Sequence, residues 1–350
     1  DLLMLWDLFL TFFKMGAVTF GGGYAMLPIL QREVAENKKW STEEELMDYF
    51  AIGQCTPGMI AVNVATFVGY KQKGFSGGLA ATLGVITPSM LIITAIAIFL
   101  SSFAANPFVI HAFAGIRVCV CVLIFDTVIK LGRKSITDKR TAFFFLSILL
   151  ISDFSSLYPV FSVIFEGTAG VIFFKAGLFA AGGGLATLPF LYAISESTGW
   201  FSTADIANMI AISESTPGPL GVNMATYAGY QTLGIAGGIW ATLSLTSPAL
   251  FVITAVSKAL DKFKNALLVE KIFYGLRPCS IALITAAGLG VAKISLLNRK
   301  NATPAPNILS FFGWRCILLA VIMWYALWRF KKHPVIYIAV SAAIGIFFEL

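Results

Sequence analysis

Two short runs hold the chain's most specific chemistry. Thr56-Pro57-Gly58 and Thr216-Pro217-Gly218 each sit inside an apolar segment, where an exposed break in a helix is costly. Threonine suits a helix N-cap, proline the first helical position, and glycine allows a ligand to approach the backbone. Each run is expected to start a half-helix inside the membrane, whose unpaired N–H groups and positive dipole end form an anion site. A proline kink in a membrane helix would use the same residues.

The residues that follow extend the pattern. Thr56, Met59, Asn63, Thr66 and Tyr70 alternate at three- and four-residue spacing, as do Thr216, Pro219, Asn223, Thr226 and Tyr230. That spacing places each set on one helix face. A mostly polar stripe in a membrane helix faces protein or water; it can line a pathway or hydrogen-bond helices together. Gly21, Gly22 and Gly23, with Gly182, Gly183 and Gly184, lie mid-segment. Three successive glycines permit an unwound stretch with amides facing a cavity, or close helix contact. Arg117 and Arg277 stand at equivalent places, where guanidinium groups can clamp an oxyanion or snorkel to headgroups. Glu214, where the first half has Gln54, is a candidate proton carrier or a hydrogen-bonded acid.

The elements that must position these residues are membrane helices. Of 350 residues, 58% are hydrophobic and 12% charged, with mean hydropathy +0.83; ordinary globular domains are roughly 25% charged. This excludes a soluble globular fold, a coiled coil and a disulfide scaffold. The net charge of +7 comes from cations that punctuate apolar runs, as in cytoplasmic loops, not from a nucleic-acid-binding face. The five cysteines form no CxxC and only two histidines occur, so no metal site and no cofactor is expected. No GxxxxGK is present, which excludes a nucleotide phosphate loop. Asp1 and Asp7 open the chain without a basic region, unlike a signal peptide.

Self-comparison organises the rest. FGGGYAMLP at 20–28 recurs as AGGGLATLP at 181–189, and QCTPGMIAVNVATFVGY at 54–70 recurs as ESTPGPLGVNMATYAGY at 214–230. The match continues through Pro88 with Pro248 and Arg117 with Arg277. Two units follow, 1–165 and 166–350, the second with an extra C-terminal span. Apolar stretches of roughly 20 residues suffice to cross a bilayer; they fall near 3–30, 45–70, 78–100, 108–129 and 141–165, then 168–193, 205–230, 237–257, 271–292, 310–328 and 334–350. The fold class is therefore all-α and polytopic, about 10–12 transmembrane segments with helices broken at the GGG and TPG motifs.

Five crossings in the first unit would invert the second. That arrangement puts 14 Lys/Arg in cytoplasmic segments, Lys71 and Lys73 among them, and six outside, including Arg32, Lys38 and Lys39. A parallel repeat would divide them ten to ten, so the positive-inside rule favours inversion. Inverted repeats with a midplane site are a secondary-transporter architecture.

The doubled FGGGYAMLP/AGGGLATLP and QCTPGMIAVNVATFVGY/ESTPGPLGVNMATYAGY segments resemble the signature segments of the chromate ion transporter family, in its long two-unit form. The resemblance covers nearly the whole chain. It implies a multi-pass inner-membrane protein that exports chromate, with proton-motive force as the drive and the GGG and TPG segments in the pathway. The expected partners are chromate or a similar oxyanion, sulfate included, the lipid bilayer, and a second copy in a possible homodimer. An anion channel is the alternative transport class. A thiol-dependent chromate reductase is disfavoured by the missing cofactor fingerprint and paired thiol.

Overall fold

A computed structural model describes residues 2–19, 26–103, 106–154, 169–180, 184–258, 267–296, 313–330 and 334–350. All regular structure among them is helical. In the first unit α1 is Leu2–Val18, and α2 is Leu27–Leu30 running into a π-helical turn, Gln31–Asn37. Then come α3, Glu43–Cys55, and α4, Ile60–Phe103. Next are α5, Pro107–Ser135, and α6, Lys139–Phe154. The second unit has α7, Ala169–Phe179; α8, Leu188–Thr198; α9, Thr203–Ser215; and α10, Leu220–Lys258. It closes with α11, Leu267–Leu296; α12, Trp314–Phe330; and α13, Pro334–Phe347.

Three stretches, Ile60–Leu100, Pro107–Lys130 and Leu220–Lys258, are long and apolar enough to cross a membrane. Two of them contain a reversal. In α4, Lys73 and Gly74 leave helical geometry, with Gly74 at φ +58°; in α10, Leu233 and Gly234 do the same, with Gly234 at φ +62°. Glycine tolerates that conformation without a Cβ clash. The arms 60–72 and 75–103 fold back on each other. Thr66 and Thr82 share a hydrogen bond of 2.7 Å, and a Cβ on Gly69 would strike the Gly77 carbonyl. The second unit repeats this with Thr226 and Thr242, 2.6 Å apart, and Gly229 against Gly237.

The arm 60–72 also runs back along α3. Lys71 Nζ bonds Glu45 Oε2 at 2.6 Å, and Gln72 Nε2 donates to the Trp40 carbonyl at 2.7 Å. The start of α3 and the end of this arm therefore lie at one end of the protein. Helix α3 begins in a capping box between Thr42 and Glu45, α9 in the matching box of Ser202 and Asp205. The π-helical turn also returns to that end, because Lys38 Nζ reaches Asp7 Oδ1 at 2.5 Å.

This corrects the expected path. Residues 45–70 are not one continuous helix: α3 runs to the TPG run, the chain turns there, and 60–72 comes back along α3. The charge count changes with it. Lys38 and Lys39 share an end with Lys71 and Lys73, not the opposite face.

The long arms of the two units pack on each other: Phe75, at the start of 75–103, stacks on Phe251 near the end of 235–258, with ring centroids 6.3 Å apart. Gly16 on α1 packs against Val85 and Pro88, and Gly177 on α7 against Leu245 and Pro248. Each unit thus lays its first helix on its own long arm through a glycine and a proline.

Candidate transport site

The TPG runs form hairpin tips. Thr56 is the C-cap of α3 and not the N-cap of the next helix: its Oγ1 donates to the Ile52 carbonyl at 3.0 Å. Thr216 likewise closes α9, donating to Ile212 at 2.8 Å. Pro57 and Gly58, like Pro217 and Gly218, make the reversal itself. Gly58 has φ +99° and Gly218 φ +114°, a region that side chains rarely enter. Space forbids a side chain as well. A Cβ on Gly58 would lie 2.6 Å from Ala249 Cβ, and one on Gly218 would collide with Ser89 Oγ.

Asn63 and Asn223 hold these tips together. Asn63 Nδ2 donates to the carbonyls of Gly53 (3.0 Å) and Pro57 (3.1 Å) and to Thr56 Oγ1 (3.1 Å). Asn223 Nδ2 does the same with Ser213 (3.4 Å), Pro217 (3.3 Å) and Thr216 Oγ1 (3.1 Å). Asn63 and Asn223, expected to line the pathway, have their N–H groups committed to the hairpin, and the Oδ1 of each has no partner among the described residues. Thr66 and Thr226 are also committed, each to its own helix and to the facing threonine. The polar stripe serves mainly to hold helices together.

The tips of the two units meet. A Cβ on Gly221 would lie 3.0 Å from Met59 Sδ. Each tip also reaches the broken first segment of the other unit. Gly58 N–H donates to the Ala180 carbonyl at 2.8 Å, and Gly218 N–H to the Thr19 carbonyl at 2.7 Å. A narrow crevice, closed to water-sized spheres, lies here, lined by Thr19, Met26, Ala61, Gly218 and Pro219 among others. The first intrahelical bonds beyond the tips are Asn63 N–H to Met59 and Asn223 N–H to Pro219. The N–H groups of 60–62 and 220–222 consequently have no acceptor among the described residues, as expected of helix starts. Their partial positive charge is what an anion would meet.

The remaining expected site residues fall apart from the tips or outside the described residues. Gly21, Gly22, Gly23, Gly182 and Gly183 lie outside the described residues, and Gly184 opens a 3-10 turn packed on Leu220. Arg117 is half-buried on α5, gives its Nε to the Phe113 carbonyl of its own helix at 3.2 Å, and does not line the crevice. Arg277 is in α11, and its side chain lies outside the described residues. Glu214 is half-buried in α9, with no ion pair or hydrogen bond among the described residues. No group of His, Cys, Asp or Glu there could hold a metal.

Three contributors escaped the sequence reading: Ser89 and the carbonyls of Thr19 and Ala180. Ser89 directly follows Pro88, one of the repeated prolines. The carbonyls carry no residue-type signal at all.

The profile described as chromate transporter matches twice, over residues 6–171 and 168–346. A probable chromate transport protein of Synechococcus elongatus is 23% identical, over 96% of this chain and 94% of its own. The chromate transport protein of Cupriavidus metallidurans is 24% identical, over 97% and 92%. An uncharacterized transporter of Bacillus subtilis is 24% identical over 45% of this chain and 90% of its own length, the proportion of a single unit. No solved structure matches. With two copies of that profile covering nearly its full length, the chain is a membrane transporter rather than an enzyme and belongs to the chromate transporter family.

Proposed function

We propose that the protein is a secondary active transporter that exports chromate across the inner membrane by alternating access. The observation that carries this reading is the meeting of the two hairpin tips, with the N–H groups of 60–62 and 220–222, which have no acceptor among the described residues, beside them. Donors of this kind, fixed in a water-poor site, suit a tetrahedral oxyanion.

Orientation follows from charge. Lys38, Lys39, Lys71 and Lys73 gather at one end of the α3–α4 hairpin. The cation-rich end is cytoplasmic by the positive-inside rule. Outward movement of each negative charge across 100 mV, inside negative, then gains roughly 2.3 kcal/mol. Glu214, which directly precedes the second tip in sequence and has no cationic partner among the described residues, is where a proton carried by the protein rather than by the substrate would sit. A homodimer is the proposed assembly, and sulfate a possible second substrate.

The test is labelled chromate efflux from proteoliposomes of the purified protein under an imposed potential. Potential-dependent efflux is expected. Chromate movement equal to that of protein-free vesicles contradicts the proposal.

A further inference from the structure

The tips carry acceptors as well as donors. Asn63 and Asn223 are fully buried, and the Oδ1 of each has no hydrogen-bond partner. Each oxygen stands next to its tip glycine, 3.0 Å from a Cβ placed on Gly58 and 3.1 Å from one on Gly218. Gly218 lines the crevice. Rotating either amide would not cure this, because its oxygen would then face two backbone carbonyls, Gly53 and Pro57 or Ser213 and Pro217. The amide can only present its oxygen inward.

A buried acceptor left unpaired is costly, and one facing an anion's oxygen is repelled. A bare dianion has no hydrogen to offer. A hydrogen-oxyanion does: its O–H satisfies an asparagine Oδ1 while its other oxygens take the free amides of the same helix start. Unpartnered Ser89 Oγ, fully buried beside Gly218, adds a hydroxyl able to give or accept.

Building on the transport reading above, we propose that the tips of this protein bind the singly protonated form of a tetrahedral oxyanion and that Asn223 Oδ1, with Asn63 Oδ1 as its repeat partner, receives the substrate's hydrogen. The proton then travels on the substrate and one negative charge moves per cycle. Chromate exchanges between hydrogen form and dianion near neutrality, whereas sulfate is a dianion except in strong acid. The same contact therefore separates two ions of nearly one shape.

Among the titratable groups on the helices around the tips are Lys14 on α1, Asp48 and Tyr49 on α3, Tyr70 on α4, Lys175 on α7, Asp205 and Glu214 on α9, and Tyr227 and Tyr230 on α10, with the Asp7–Lys38 and Glu45–Lys71 pairs at the proposed cytoplasmic end. Of the carboxyl groups, Glu214 alone adjoins a tip in sequence. The Glu214→Gln variant therefore separates a proton on the protein from one on the substrate.

The experiment is chromate flux in proteoliposomes at several pH values across chromate's titration, with perchlorate and sulfate as competitors. Perchlorate is a tetrahedral monoanion without hydrogen; sulfate is a dianion without hydrogen. Expected is a KM for total chromate that rises about tenfold per pH unit above the titration midpoint and is constant when expressed as the hydrogen form. Perchlorate and sulfate should each compete about ten- to hundredfold more weakly than hydrogen chromate, and Glu214→Gln should keep the pH slope. A KM independent of pH, perchlorate competing as well as hydrogen chromate, a sodium requirement for dianion flux, or loss of the slope in Glu214→Gln each overturns the proposal. Absence of chromate flux at every pH would instead remove the transport reading itself.

Discussion

Gly58 and Gly218 are bound reciprocally: the first gives its N–H to Ala180 at 2.8 Å, the second to Thr19 at 2.7 Å. Each unit's hairpin tip is thus seated on the other unit's first segment. Movement of either tip must break or carry along a bond to the opposite unit.

Gly58→Ala and Gly218→Ala test the seats. Both positions have positive φ, and the added methyl meets Ala249 or Ser89. Backbone strain and overpacking together cost on the order of 1–3 kcal/mol. Chromate flux is expected to fall at least about tenfold, with lowered thermal stability in detergent and normal membrane insertion. Wild-type flux in both variants would show that the tips do not need their glycines.

Asn63→Ala and Asn223→Ala should be among the most destabilising polar substitutions. Each removes a side chain that gives hydrogens to three acceptors inside the fold. Unpaired buried acceptors cost about 1–3 kcal/mol. Unfolding midpoints in detergent should drop for both, and by similar amounts because the two networks match.

Much of this was legible in the amino-acid order, and what was not has a physical reason. The duplication and the two breaks follow from TPG and GGG recurring in apolar runs. The return of 60–72 along α3 does not, because hydropathy scores a crossing and a hairpin of two short helices alike. The available clue was Gly74 and Gly234, each inside a stretch far longer than one crossing. Asn63 was recognised as a site candidate, but spacing places a side chain on a helix surface without saying which of its atoms remains free. Arg117 shares its place with Arg277 by repetition alone, and repetition does not report distance to the tips.

Gly69→Ala and Gly229→Ala probe the reversal at 73–74 and 233–234. In each case the methyl would strike the carbonyl of the facing glycine, Gly77 or Gly237. A loss of about 1–3 kcal/mol is expected, measured as a lowered melting temperature. Thr82→Val, which removes one hydroxyl from the pair with Thr66, should cost about 1 kcal/mol.

Glu45→Gln tests the cytoplasmic clamp. Burial pushes the Glu45 carboxyl up, but hydrogen bonds from Lys71 and Thr42 and the Lys71 charge outweigh it, so its pKa lies below the ordinary value of 4.5. A lowered folded value stabilises above the unfolded pKa, and that contribution is lost as pH falls through the folded value. The pair is more than one-third exposed, so the effect is below about 1 kcal/mol. The variant should be slightly less stable than the parent near neutrality and indistinguishable from it in acid well below pH 4.5.

The most direct test joins the two tips covalently. With native cysteines replaced, Met59→Cys and Gly221→Cys are introduced together, since a Gly221 Cβ would stand 3.2 Å from Met59 Cγ, close enough for a disulfide after small adjustment. Oxidation in proteoliposomes is predicted to form the crosslink and stop chromate flux, and reductant to restore it. Failure of the pair to crosslink, or full flux through the crosslinked protein, would contradict a transport site built where the two hairpin tips meet.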